Sequence, residues 1–351
     1  MYASAITSGR GWLIWRANRF FFLSIALYAL AAAVASERWN IAVSMEIYSR
    51  VFLLAGFAVS VILFAVISIR VMLDRPPRIY PALRDRLLVN RLPERLAVGL
   101  PVTLVLPIFF SLFTSMKDGI SRIVPFYADK ILIYGDRIIH GGVDAWKILH
   151  PFLGSGVVTF MLNFAYNVWF MVMFTILFCV TFSVESERLR SQYLLSFVLI
   201  WILLGNVVAT LVSSVGPAFV VSFYDDHTFA PLMDYLRTTD RVFPVWALDA
   251  QDMLLENAKL DGPRIGSGIS AFPSMHVAVA TLNAIYLWRF GGLLRWASIV
   301  FLVAIQLAAV HLAWHYAIDG YASMLATPVI WAFAGWISDI GQQRGRPVAA
   351  S

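Results

Sequence analysis

"VVTFMLNFAYNVWFMVMFTILFCVTFS", residues 157–183, runs for 27 residues without an Asp, Glu, Lys or Arg. About 20 mainly apolar residues span the hydrocarbon of a bilayer. The stretch is rich in Val, Phe and Leu and lacks the strict alternation of an outer-membrane strand, which predicts a membrane-crossing helix. The whole chain agrees: 60% of its 351 residues are hydrophobic and 14% charged, and the mean hydropathy is +0.75. Soluble globular domains lie far from these values.

The same criterion gives eight candidate spans, at 17–36, 50–73, 97–116, 157–183, 192–213, 272–290, 293–313 and 315–337. The expected fold is therefore an all-α polytopic membrane protein of about eight helices. Arg10, Arg16 and Arg19 precede the first apolar run, and the poor cleavage signal predicts an uncleaved signal anchor. The formal net charge of +6 resides mostly beside apolar runs. Such placement predicts membrane orientation and argues against a nucleic-acid partner. The single cysteine, Cys179, supports neither a disulfide framework nor a cysteine metal site.

The connection 74–96 holds six arginines against three acids and is assigned to the cytoplasm, as is the tail with Arg344 and Arg346. The opposite loops include 214–271, with eight acidic against four basic residues. An even number of spans then places both termini in the cytoplasm. Segment 117–156, containing "YADKILIYGDRIIHGGVDAWKILHPFLG" (127–154), interleaves apolar residues with charge, as interfacial helices do. It reads equally as an amphipathic bracket or as a ledge beside a lipid site. Loop 214–271 is too long for a turn and is expected to be a folded cap. The expected organisation is 1–96, two N-terminal spans and a basic loop; 97–337, a six-helix catalytic core; and 338–351, a tail.

Polar residues intrude on the apolar pattern at "AFPSMHVA", 271–278, and "VHLAWHYAIDGYASM", 310–324. If the latter is one helix, His311, His315 and Asp319 at i, i+4 and i+8 share a stripe. One helix in and one helix out return His276 and His315 to the same extracytoplasmic face, where "SSVGPAF" (213–219) also ends. Ionisable groups in spans point to function. A carboxylate one turn from a histidine orients its ring for attack, so His315 is the candidate nucleophile and Asp319 its partner. His276 is placed as general acid. Pro273 at a helix start leaves the N–H groups of Ser274, Met275 and His276 to bind phosphate oxygens. Together these describe phosphoryl transfer through a phosphohistidine.

His140, His150 and His227 read as interfacial anchors. The H-x-x-x-H spacing of His311 and His315 is also that of a helical zinc chelate, with His276 or Asp319 as third ligand. No Cys or Glu accompanies the pair, and no metal or cofactor is expected. A structural polar cluster is the bland alternative.

"AFPSMHVA" resembles the P-S-x-H motif, and "HYAID" (315–319) the H-x-x-x-D end of the third motif, of the type 2 phosphatidic acid phosphatase superfamily. The set "SSVGPAF", "ISAFPSMHVA", "HYAIDG" looks most like its inositol phosphorylceramide synthase branch. The resemblance implies a six-helix core, a His315 nucleophile oriented by Asp319, an acid at His276 and a phosphate contact from Ser274, with Gly216 and Pro217 in support; His311, one turn from His315, is a further supporting candidate by spacing. It also implies a phospholipid donor and a lipid acceptor such as ceramide or diacylglycerol. The family's cations are missing: Ala209 stands at the first-motif lysine, Gly216 precedes Pro217, and Ala308 and Ala309 replace Ser-Arg. A singly charged diester needs fewer cations than a dianionic monoester, which favours a transferase of phosphorylated headgroups over a lipid phosphatase. Arg264, then Arg241 or Lys259, are the candidate cations. A transporter or scaffold is the remaining rival, though the matched halves common in transporters are not evident.

Overall fold

The computed structural model of the protein describes residues 2–75, 78–89, 91–260 and 262–343. All eight apolar runs are helical. They form α1 (Tyr2–Trp39), α2 (Ser49–Leu73), α4 (Leu92–Asp118), α8 (Gly156–Thr181), α9 (Glu187–Leu211), α13 (Met275–Trp288), α14 (Gly292–His311) and α15 (Ala317–Gln343). Among the described residues six helices are long and apolar enough to cross a membrane, and α13 and the Phe64–Leu73 part of α2 are shorter apolar stretches. The protein is an integral membrane protein. Leu104, Met171, Val300 and Val329 stay exposed on outward faces, as lipid-facing residues do.

The basic connection is itself partly helical, α3 (Ile79–Val89). Segment 117–156 folds as α5 (Ile120–Ile123), α6 (Asp129–Ile139) and α7 (Ala145–Leu153). The long loop carries α10 (Val220–Tyr224), α11 (Ala230–Asp240) and α12 (Trp246–Asn257). The last helix passes the expected end at 337 and reaches Gln343; Arg344 and Arg346 lie outside the described residues.

Local signals set several boundaries. Ser155 and Ser186 cap α8 and α9, each side chain accepting the N–H three residues on at 3.3 Å. α9 widens into a π-helical stretch over Ile200–Val208. There the Asn206 side chain accepts a hydrogen bond from the Tyr28 hydroxyl of α1. α13 is the central rod, packed against α8, α9, α14 and α15. Its residues Val277 to Leu282 are buried.

One buried cation ties four helices together. The Arg190 guanidinium donates to the Thr181 carbonyl, the Asn18 side chain and the Val98 carbonyl, each at 2.8 Å. It thereby joins α9 to α8, α1 and α4. Hydrogen bonds to a charged group are worth about 1.5–3 kcal/mol each when buried. Arg190→Ala should therefore destabilise the protein by about 3 kcal/mol or more. Arg188→Ala, which breaks an exposed pair with Asp339, should cost about 1 kcal/mol or less. Thermal unfolding of the two variants in detergent checks the contrast.

Candidate active site

Three sequence segments meet at one end of α13. The Ser274 N–H donates to the Asp319 carbonyl at 3.2 Å. The Ser323 hydroxyl donates to the Ser274 carbonyl at 2.8 Å and to that of Asp319 at 3.0 Å. The start of α13 is thus fastened to the first turns of α15. From the third segment, the Ser214 carbonyl accepts the Ala271 N–H at 3.1 Å, and its hydroxyl accepts the Phe272 N–H at 3.0 Å. The Ala313 carbonyl accepts the Ala218 N–H at 3.0 Å.

His315 and Asp319 form the central pair, with Nδ1 3.2 Å from Oδ2. The same carboxylate oxygen accepts the Tyr316 N–H at 3.1 Å. Asp319 is fully buried and His315 nearly so. With Nδ1 directed at a carboxylate, Nε2 is the ring nitrogen left for an electrophile. The His276 ring stacks on Tyr166, centroids 4.2 Å apart at 17°, and lies 4.2 Å from the Trp169 ring. Trp169 also donates its indole N–H to the His276 carbonyl at 2.9 Å.

The single stripe of His311, His315 and Asp319 does not form. α14 ends at His311, Ala313 takes a left-handed φ of 60°, and α15 starts at Ala317. His311 turns instead to Thr159, Nε2 to Oγ1 2.9 Å, beside His150 and Tyr235. Thr159 lies seven residues from Tyr166 on α8, about 10 Å along the helix. His311 therefore stands apart from the His276 and His315 pair, and the helical H-x-x-x-H chelate is lost with the stripe.

The expected phosphate contacts also change. Ser274 is fully buried, and its side chain accepts the Val277 N–H at 3.5 Å as the helix cap. Its own N–H is spent on Asp319, so only the Met275 and His276 N–H groups have no acceptor among the described residues. The Arg264 side chain is exposed and makes no ion pair among the described residues, and Arg241 and Lys259 are likewise exposed. Of the three anchors, His227 is an exposed partner of Asp225. His150 packs on Trp146 and Tyr235. His140 links α6 to α15 through the Tyr321 hydroxyl, 3.0 Å away.

Two carboxylates absent from the sequence reading hold this assembly. Asp129, at the start of α6, accepts the N–H groups of Val215 and Gly216 and the hydroxyls of Tyr224 and Tyr316, each at 2.9 Å. Burial beside this charge pushes both tyrosine hydroxyls up from their ordinary value, so they remain donors. Seven residues on, Asp136 accepts the Ile318 N–H at 2.9 Å. The two acids thus hold the chain just after His315, at Tyr316 and Ile318. Gly216 is required as glycine: its φ is +87°, and a Cβ would stand 2.9 Å from the Trp314 carbonyl oxygen. Pro217 is buried beside it. The visible signal was two acids at i and i+7, on one face of an amphipathic helix.

Asp129→Ala should leave four buried donors without their acceptor and destabilise the protein by about 3 kcal/mol or more. It should also lower turnover by about 10²-fold through displacement of Tyr316 and His315. Thermal unfolding and lipid turnover on the same preparation measure both effects.

The family model described as PAP2 superfamily matches residues 130–333, more than half of the chain and a range containing His276, His315 and Asp319. No curated protein and no solved structure matches the chain. The geometry of the histidines and the extent of this match lead to one assignment: the chain belongs to the PAP2 superfamily, membrane enzymes that act on phosphorylated lipids.

Proposed function

We propose that the protein is a phosphotransferase that moves a phosphorylated headgroup, of the inositol phosphate type, from a phospholipid donor to a lipid hydroxyl. The acceptor is a ceramide- or diacylglycerol-like lipid. The observation that carries this reading is the His315 to Asp319 hydrogen bond, set next to a second histidine enclosed by aromatic rings.

Nε2 of His315 attacks the donor phosphorus, and the bond from phosphorus to the diacylglycerol oxygen breaks. His276 gives its proton to that leaving oxygen. The headgroup phosphate is now a phosphohistidine, and Asp319 stabilises the charged ring. His276 then takes the proton of the acceptor hydroxyl as its oxygen attacks phosphorus. The nitrogen–phosphorus bond breaks and free His315 returns.

Two features favour a lipid over water as acceptor. The His276 ring is packed against Tyr166 and Trp169, and Phe170, 5.9 Å away, is half exposed on the outer surface. α13 has 14 residues, about 21 Å of helix against a hydrocarbon core of about 30 Å. A helix this short draws His276 toward the depth of the acyl chains. The loop charges support a site on the extracytoplasmic side of a bacterial inner membrane, with both termini in the cytoplasm.

Purified protein given labelled phospholipid donors with ceramide, diacylglycerol or no acceptor should produce a new headgroup-bearing lipid. Release to water of the phosphorylated headgroup, or of free phosphate from a monoester donor, without such a lipid would identify a hydrolase, and no turnover with any donor would favour a non-enzymatic transporter or scaffold. His315→Ala should lower transfer by more than about 10³-fold and abolish an acid-labile phosphoryl label on the protein. His276→Gln should reduce transfer by about 10²–10⁴-fold.

A further inference from the structure

A phosphoryl group between the two histidines needs cationic and hydrogen-bonding compensation, and the positions where the family carries its cations hold Ala209, Gly216 and Ala309. The three-dimensional neighbours of His276 contain a different set of groups. Lys117 ends α4 and lies outside the range matched to the family. Its backbone carbonyl is packed against Gly268, where a Cβ would stand 2.9 Å from the oxygen, in the loop that leads into α13.

One turn earlier on the same face of α4, the Phe113 ring approaches Gly205. A Cβ at Gly205 would stand 2.7 Å from that ring and 3.1 Å from the Met275 Sδ. The Lys117 face of α4 therefore lies beside the first turn of α13, where the Met275 and His276 N–H groups lack acceptors. The ammonium forms no ion pair or hydrogen bond with another described residue, although Asp118 is its sequence neighbour.

Two neutral donors complete the set. Tyr166 stacks between His276 and Trp314, whose ring is 6.1 Å away and nearly parallel. The Tyr166 hydroxyl and the Trp314 indole N–H are both buried without a hydrogen-bond partner. Buried donors rarely go unpaired in a folded protein, and two in one aromatic column beside both histidines call for an acceptor-rich ligand.

We propose that Lys117, the Tyr166 hydroxyl and the Trp314 indole N–H form the subsite for the donor's phosphoryl oxygens, one cation and two neutral donors holding a singly charged phosphodiester. This deepens the transferase reading and rests on it for the identity of the ligand. One positive charge balances a diester and leaves a monoester dianion half compensated, so the subsite also selects between the two.

Orthovanadate binding to the purified protein, followed by titration calorimetry, tests the subsite without requiring turnover. Lys117→Met should weaken vanadate by about tenfold or more, and Lys117→Arg should restore most of the loss. Tyr166→Phe keeps the ring stack and should weaken binding severalfold with unchanged thermal stability, as should Trp314→Phe. Where transfer is measurable, Lys117→Met should lower kcat/KM for the donor by about 10²-fold. Failure of the wild type to bind vanadate, or wild-type affinity in both Lys117→Met and Tyr166→Phe, overturns the subsite. Weakened vanadate binding in these variants, with no transfer by the wild type from any donor, supports the subsite and overturns the transferase reading instead.

Discussion

The Asp129 carboxylate is fully buried and surrounded by four donors from three separate stretches of chain. A charge removed from water in this way is tolerated only when its lone pairs are filled. Satisfying it forces Val215 and Gly216, Tyr224 and Tyr316 to one point. Tyr316 adjoins His315, so the electrostatic demand of one acid limits where the candidate nucleophile can stand. Asp136 adds the second hold at Ile318. α6 thereby fastens a loop through the two buried acids on its inward face.

The site is built from few charges and many rings. The His315 ring and the Tyr316 N–H meet one oxygen of Asp319, His276 lies against aromatic side chains, and Lys117 ends a helix packed on the loop that leads into α13. In a low-dielectric surrounding each charge acts strongly, so fewer are needed than at a water-filled surface. The π-helical stretch of α9 fits the same scheme. It presents Gly205 where Phe113 and the Met275 thioether converge, and any side chain there would displace the Phe113 ring. Such widened turns recur near functional sites.

Much of this was legible in sequence because bilayer-scale hydrophobicity is a property of contiguous residues. All eight apolar runs became helices, and the i, i+4 relation of His315 and Asp319 survived as a hydrogen bond. The stripe that included His311 did not survive, since the chain leaves the helix at Leu312. No glycine or proline marks that break. Ala313 adopts a left-handed φ whose cost is offset by tertiary bonding, its carbonyl accepting the Ala218 N–H. A local pattern carries no information about a partner almost a hundred positions away.

The sequence by itself determined the membrane class, the apolar helical runs, and the two segments that bear the two histidines and their aspartate. These follow from composition, periodicity and short motifs, which act over one or two turns. Only the tertiary structure decided which polar groups face one another: Asp129 with Tyr316, Ser274 with Asp319, Asp136 with Ile318. Those pairings depend on how helices distant in sequence pack around α13, and burial turns each of them from an optional contact into a requirement.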